Sequence, residues 1–484
     1  MKCMKIRIKD NRCNKLFVDK IFKTKHFENI LLILLNQDYK MNEGKHRDML
    51  LDGTIIRAII TDTPGKKNKL EKTQYMKDYY KDNQLMKELI SVGKELKVHN
   101  LVEQIKDIKK NYKSFYTKIK NGDKEAKPPK PKKLKKCNHI TLFCDGAKAH
   151  SFAKQNRIGI NINNKMKYIY VKHQPILDVV GSFDNVKNIN LNYSNGYIYL
   201  LINYENEPKS LENKSSKVAG LDIGLNNLAS IYINDLNTPS LIVDGTPYKN
   251  YNTKFNRFIA SLNNETDFWY NYINDETKKH LNEGLNVLDD IVYLNKFKSF
   301  LYEKRNNYYY SEFHKISKRI LEYLYINNVG TLVVSSNLAN LKNNGNCEMR
   351  KDVKQNFIQI PFMQLIKQLK DKAPKFGITI IDVDESYTSK TSSLSADINQ
   401  IKKLALNNKK LSTNDFKGSR VKRGIFKDNV LNKTINADLN GACNIVKIVT
   451  KLIGDINYYK FCNPIKCKSD HELTAVIVGN SCVG

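Results

Sequence analysis

Three places in the chain put acids where metal chemistry could use them. Asp222 lies in the run 217–234, KVAGLDIGLNNLASIYIN, between Leu221 and Ile223, where an unpaired carboxylate is costly and a bound cation would relieve the cost. Gly220 and Gly224 flank it, and residues that small let a phosphodiester backbone approach closely. Asp438 opens the amphipathic stretch 436–454, NADLNGACNIVKIVTKLIG, with Ala442, Ile445 and Val446 toward the core and Gly441 permitting close packing. Alone, it would merely complement a helix dipole. The third acid has three candidates, Asp382, Asp384 and Glu385, in DVDESYTSKTS (382–392) at the end of the apolar run 377–383. Strand alternation gives Asp384 the face opposite Glu385. Carboxylates converging from separate elements can hold two divalent cations about 3.5–4 Å apart, one activating water and one stabilising a leaving oxygen.

The elements that must position these acids follow from patterning. The run 217–234 reads as strand, tight GLNN turn and strand, and SLIVDG (240–245) adds a third strand. A helical stretch from about 253 to 327 follows, containing Trp269 and the aromatic-basic segment 302–320, where Tyr308, Tyr309 and Tyr310 mix with Lys315, Lys318 and Arg319. Such residues suit either helix packing or a nucleic-acid duplex. Then come strand TLVVSS (331–336), a helix over 360–373 with Phe362, Leu365, Ile366 and Leu369 on one face, strand 378–383, and the last helix. Three strands, helix, strand, helix, strand and helix is the order of a ribonuclease H-like α/β domain. In that order the fourth strand usually ends in an acid. Here it ends in Ser335 and Ser336, which leaves Glu385 as the available substitute. GLDIG also resembles the first phosphate loop of actin-like ATPases, but the second Gly-rich loop such enzymes need is missing, and VDGTP (243–247) comes too early to supply it.

Composition points to the partner. With 81 Lys and Arg against 49 Asp and Glu in 484 residues, the net charge of +32 favours a polyanion over a small neutral substrate. The charge clusters: 104–136 holds thirteen lysines and closes in KPPKPKKLKK (127–136), where prolines keep the charges extended. No run of ~18 apolar residues and no apolar signal core are present, so no membrane association and an intracellular protein are expected. The nine cysteines form no C-x-x-C pair, and Cys137, His139, Cys144 and His150 fit no zinc spacing. Ahead of the nuclease-type region, Lys5–Phe22 alternates like a strand pair. Residues 27–120 turn helical, as in Leu85, Leu89, Val92 and Leu96, and short strands such as RIGINI and NGYIYLLINYE then resemble a small barrel.

Five blocks, in this order and spacing, carry a family resemblance: GLDIGLNNLAS, KQNFIQIPFMQLI, DESYTSKTSSL, GSRVKRGIF and INADLNGACNIVK. Over roughly 215–450 the chain resembles the TnpB (OrfB) transposon-encoded family, relatives of the eukaryotic Fanzor proteins and of type V CRISPR effectors. The resemblance implies an RNA-guided DNA endonuclease with one RuvC nuclease site. It would carry a guide RNA from the transposon end, recognise double-stranded target DNA beside a short adjacent motif, and use two Mg²⁺ ions. Asp222 and Asp438 match the first and third nuclease acids. ESYTS matches the branch, Fanzor-like proteins included, that carries the second acid in an E-x-Y-T-S block, which makes Glu385 that acid. Many members have two C-x-x-C pairs forming a zinc ribbon before the third motif. Here TSSLS (391–395) and GSRVKRGIF (418–426) stand instead, so no structural zinc is expected. Arg420, Lys422, Arg423 and Lys390 are the expected phosphate contacts.

The expected organisation is a multidomain α+β chain. An N-terminal β-barrel spans 1–215 and is interrupted by a helical insert of about 27–125. A RuvC-like domain spans 216–454 with its own helical insertion of about 253–327, and a tail covers 455–484. Rival functions are a nuclease-independent RNA-guided DNA-binding repressor and a strand-transfer transposase. The expected location is the cytoplasm and nucleoid of a prokaryotic host, or the nucleus with a eukaryotic or viral one.

Overall fold

The computed structural model describes residues 2–8, 14–96, 98–123, 125–132, 140–144, 157–162, 165–194, 197–205, 211, 215–274, 287–335, 355–356, 358–407, 411–450 and 456–481. The chain divides into two compact units, Met1–Glu207 and Pro208–Gly484.

In the first unit, strand β1 (Lys2–Arg7) leads to helices α1 (Asn14–Asn42), α2 (Arg47–Leu50), α3 (Gly53–Ile60), α4 (Leu70–Tyr79), α5 (Gln84–Glu95) and α6 (Val98–Lys120). The expected strand pair over Lys5–Phe22 is therefore half wrong. Phe17 and Ile21, four apart, are both buried against the sheet core with Val18 and Phe22 beside them, which is a helical and not an alternating stripe. Strands β2 (Ile140–Cys144), β3 (Arg157–Ile162), β4 (Lys165–Tyr170), β5 (Val186–Ser194) and β6 (Tyr197–Tyr204), with helix α7 (Gln174–Val180) before β5, complete this unit. They pair as an antiparallel sheet in the order β1-β6-β5-β2 and a separate β3-β4 ribbon. Among the described residues no pairing closes this sheet into the expected barrel. The helices bury their own core, built on Phe27, Leu31, Ile56, Met76 and Leu89. The lysine-proline segment is anchored at its described part by Asn29, whose amide exchanges two hydrogen bonds with the Lys132 backbone at 2.7 and 3.0 Å. Residues 133–136, Cys137, His139 and His150 lie outside the described residues.

The second unit is organised by one sheet. Strands β7 (Lys217–Asp222), β8 (Asn227–Ile233) and β9 (Leu241–Asp244) run antiparallel, and β10 (Val329–Ser335) and β11 (Thr379–Val383) add in parallel beside β7. The order across the sheet, which includes the late strand β15 (Ile465–Cys467), is β11-β10-β7-β8-β9-β15, and along the chain three strands, a helical stretch, a strand, a helix and a strand follow one another as the sequence led one to expect. Helices α8 (Thr246–Asn274) and α9 (Val287–Ile326) lie between β9 and β10, and α10 (Phe362–Lys372) lies between β10 and β11. Tyr309, Phe313, Ile316 and Ile320 of α9 and Phe362, Leu365 and Leu369 of α10 cover one face of the sheet. The tyrosine run is thus mainly packing: Tyr309 is fully buried, whereas Tyr310 is exposed.

After α11 (Ile398–Leu406), strands β12 (Gly418–Lys422), β13 (Ile425–Asp428) and β14 (Lys433–Asn436) form a small meander that leads into α12 (Ala437–Thr450). Helix α12 covers the other face of the main sheet through Leu439, Ala442, Cys443 and Val446. The residues set apart as a tail join this unit. Beyond α13 (Tyr459–Cys462), strand β15 (Ile465–Cys467) pairs in parallel with β9, and Leu473 of α14 (Asp470–Ser481) enters the core shared with α9. Among the described residues, no helix is long and apolar enough to cross a membrane.

Candidate metal and nucleic-acid site

The parallel strands β7, β10 and β11 all end at one edge of the sheet, the place where open α/β sheets present their ligands. Asp222 is the last residue of β7, Ser335 the last of β10, and Glu385 follows β11 by two residues. Asp438 occupies the first turn of α12, where Asn436 caps the helix by accepting from the Asp438 and Leu439 amides at 3.0 and 3.1 Å. Glycine makes the approach possible. A Cβ at Gly220 would collide with the carbonyl of Ala442, and one at Gly441 would stand 2.7 Å from Asp222 Oδ2. Helix α12 can therefore lie on β7 only because both residues lack a side chain.

Electrostatics ties the three acids together. The Asp222 carboxyl is pushed well above the usual carboxylate range, first by burial, then by the charges of Asp438 and Glu385, with Arg420 pulling the other way. Glu385 is raised too, mainly by burial, against a hydrogen bond from Ser335 that favours its ionised form. The competing acids are spent elsewhere. Asp382 pairs with Lys370 at 2.6 Å. Asp384 accepts from the backbone and hydroxyl of Ser386 and faces Lys402 at 3.6 Å. Of the three neighbours, Glu385 is the one whose charge raises Asp222, behind that of Asp438.

Asp438 is engaged on both oxygens. Oδ1 pairs with Arg420 Nη2 at 3.0 Å, and Oδ2 accepts from Asn227 Nδ2 at 2.7 Å. Arg423 donates to Asn226 Oδ1 at 3.0 Å, so the two arginines tie the β12–β13 hairpin to the turn after β7 and to the start of α12. Lys390 and Lys422 are exposed and bond none of the three carboxylates.

The segment from 385 to 436 is fastened from within. Thr388 Oγ1 donates to the Glu385 carbonyl at 2.8 Å. From α12, Asn444 Nδ2 reaches the carbonyls of Thr388 and Thr391 at 2.9 and 2.7 Å, and Asn440 Nδ2 reaches Thr391 at 2.9 Å. Lys447 Nζ donates to the Ser393 carbonyl at 2.6 Å. Buried Asp428 accepts from the hydroxyls of Ser392 and Ser395 and from the backbone amides of Val430 and Leu431. The hydroxyl run after Glu385 thus fixes the backbone that carries this acid. The sequence reading saw Ser335 merely as a strand end without an acid and assigned no role to Asn226, Asn227, Asn440 or Asn444. The GLNN turn drew attention to two of the asparagines, and for its shape. Ser336 lies outside the described residues.

The donor set fits a hard divalent cation, since all three side chains offer carboxylate oxygens. Ser230 supports this. It pairs in register with Asp222 on β8, and its hydroxyl is buried without a partner, on the face that opposed residues share. Among the described residues no three His, Cys, Asp or Glu side chains stand together in metal-ligand geometry; Asp438 is held by Arg420 and Asn227.

Residues 362–445 match the family described as Cas12f1-like, TNB domain. That stretch takes in α10, β11, Glu385, the hairpin and Asp438. The chain has no match among curated proteins. Solved structures similar to it include a Cas12f1–sgRNA–target DNA complex, with 16% identity, 93% of this chain and 99% of that chain covered, and TM-score 0.32. A CRISPR-Cas12f ternary complex has 14% identity, 94% and 100% coverage, and TM-score 0.33. The mini-RNA-guided endonuclease CRISPR-Cas_phi3 has 11% identity, 60% and 57% coverage, and TM-score 0.37.

Proposed function

We propose that the chain is an RNA-guided DNA endonuclease of the TnpB and type V effector kind, encoded by a transposable element, which hydrolyses phosphodiesters at Asp222, Glu385 and Asp438. The observation that carries this reading is the placement of Asp222 at the end of β7, Glu385 just after β11 and Asp438 in the first turn of α12, with the charges of Asp438 and Glu385 both raising Asp222. The match of residues 362–445 to the Cas12f1-like TNB family supports the RNA-guided part, as do the five sequence blocks and the +32 charge. Target choice would rest on guide pairing and on a short motif beside the target.

The three acids would hold two Mg²⁺ ions, which supply water activation and neutralisation of the leaving oxygen. Ser335 orients Glu385 and favours its ionised form. Asn227 and the Asn436 cap orient Asp438. Arg420 offers its guanidinium to a phosphate oxygen next to these acids, and Lys422, Arg423 and Lys390 hold the strand on either side. The products carry 5′-phosphate and 3′-hydroxyl ends. The Asp428 fastening serves the hairpin without a structural zinc. The protein works where its DNA is, in the nucleoid of a prokaryotic host or in the nucleus with a eukaryotic or viral one.

The test is plasmid cleavage by protein co-expressed with RNA from the flanking DNA. Glu385→Gln is expected to reduce cutting at least ~10²-fold with RNA binding unchanged, while Asp384→Asn stays within about twofold. Full activity of Glu385→Gln removes that residue from the site. Target binding without metal-dependent cuts by the wild type points to a repressor, and joined donor-target products point to a transposase.

A further inference from the structure

Strand β8 carries two polar side chains, Asn227 and Ser230, on the sheet face that α12 covers. Between Asn227 and Ala229 the pairing of β8 with β9 slips, so that β8 holds one residue more than its partner, a β-bulge. The extra residue, Leu228, resets the alternation. Asn227 and Ser230, three apart, therefore reach the same face rather than opposite ones. Asn227 bonds Asp438 at 2.7 Å, and Ser230 stands directly opposite Asp222 on β7. On its other side Ser230 pairs with Ile242, which packs with Tyr232, Leu439 and Ala442 beneath α12. Asp222 faces the same way, since a Cβ on Gly441 of α12 would stand 2.7 Å from its Oδ2.

Ser230 is fully buried, and its hydroxyl has no hydrogen-bond partner among the described residues. Burying a hydroxyl without a partner costs stability. Alanine, as at the adjacent Ala229, would fill the position without that cost. An orphan hydroxyl alone is no sign of function: Ser240, just ahead of β9, is equally buried and equally unpartnered. The strand register, however, sets none of the three acids opposite Ser240. Residues directly opposed in an antiparallel pair hold their Cβ atoms about 4.5–5.5 Å apart. A serine hydroxyl turning among its staggered χ1 positions can reach a carboxylate across that gap.

We propose that Ser230 is a positioning residue for Asp222: with a divalent cation in place, its hydroxyl donates to one carboxylate oxygen of Asp222 and leaves the other for the ion. The inference rests on the reading of Asp222 as a metal ligand and adds to it a donor from the neighbouring strand. Groups that hold a ligating carboxylate set its orientation, and their loss is felt in metal affinity. Strand β8 then serves both aspartates, Asn227 holding Asp438 and Ser230 holding Asp222, and the bulge at Leu228 lets one strand do both. The hydroxyl is a cost in the cation-free protein and is paired once the ion is bound.

The experiment measures Mg²⁺ uptake by the full, RNA-free chain, by calorimetry and by the rise in melting temperature as Mg²⁺ is added. Ser230→Ala is expected to bind Mg²⁺ about tenfold more weakly. Its cation-free melting temperature should stay level or rise, because an unpaired buried hydroxyl has been removed. Ser240→Ala, which loses an equally buried hydroxyl, should take up Mg²⁺ as the wild type does. A lower cation-free melting temperature in Ser230→Ala makes the hydroxyl a structural group and overturns the proposal. An equal loss of Mg²⁺ affinity in Ser240→Ala overturns it as well. A wild type that takes up no Mg²⁺ overturns the three-acid reading itself, whereas wild-type uptake matched by Ser230→Ala overturns the role of Ser230 alone.

Discussion

Two aspartates, buried Asp38 and half-buried Asp222, one in each compact unit, have opposite surroundings. Asp38 in the helical unit is fully partnered: His46 gives it a ring nitrogen at 2.7 Å and a backbone amide at 3.0 Å, and Asn42 adds an amide at 3.2 Å. Asp222 at the sheet edge has two further carboxylates for neighbours. The first is a completed internal network. Against their charges the second has Arg420 and the backbone amide of Ile223. A buried acid is thus no sign of function by itself; the sign of the charge around it is what separates a structural group from a ligand in waiting.

The largest expected effect comes from Asp222→Asn. Cutting should fall at least ~10²-fold, while the cation-free protein becomes more heat-stable above the ordinary carboxylate range. The raised Asp222 holds a proton in the native state that the unfolded chain has already lost. Native stability therefore falls as pH climbs from the ordinary carboxylate value toward the raised one. Asparagine at 222, or Mg²⁺ added to the wild type, should flatten that slope in melting curves. A wild-type melting temperature that rises across this window would mean the acids are compensated internally after all.

Asp38→Ala should act the other way. It leaves the His46 ring buried without its acid and is expected to cost about 3–5 kcal/mol in a denaturant titration. A cost under about 1 kcal/mol would make Asp38 no different from a surface group and would erase the contrast.

The smallest effect belongs to Ser335→Ala. Burial already raises Glu385, and losing the Ser335 hydrogen bond raises it further. The acid limb of the pH–rate profile should move to higher pH, with cutting about tenfold slower on that limb. A limb that stays in place reduces Ser335 to strand packing.

Much of this was readable from the chain. Short apolar runs mark β7, β8, β10 and β11, and a mid-strand Asp beside two glycines marks Asp222. Asp438 was visible as an acid in the first turn of an amphipathic helix. The choice of Glu385 over its neighbours was not visible in residue types, because Lys370 and Lys402, which occupy Asp382 and Asp384, are brought in by tertiary folding. The resemblance made that choice. Residues 14–22 misled because Phe17, Val18, Ile21 and Phe22 fit a loose alternation as well as a helix. Strand β15 was invisible for a simpler reason: three residues, Ile465–Cys467, are too few to show a period. The contact from Arg420 to Asp438 depends on how the meander folds back, and no local pattern encodes it.

The Asp428 fastening has a consequence for where such a protein could keep its shape. It is made of oxygen and nitrogen groups alone, so thiol oxidants and chelators leave it in place. Acid is its weakness. Burial works against the carboxylate, but the amides of Leu431 and Val430 and the hydroxyls of Ser392 and Ser395 outweigh it and hold Asp428 below the usual range. The stabilisation it gives is present above the ordinary carboxylate value and is lost as pH falls through the lowered native one. The hairpin that carries Arg420 would then come loose before the sheet beneath it does, and the protein would lose its grip on Asp438 while most of its fold still stood.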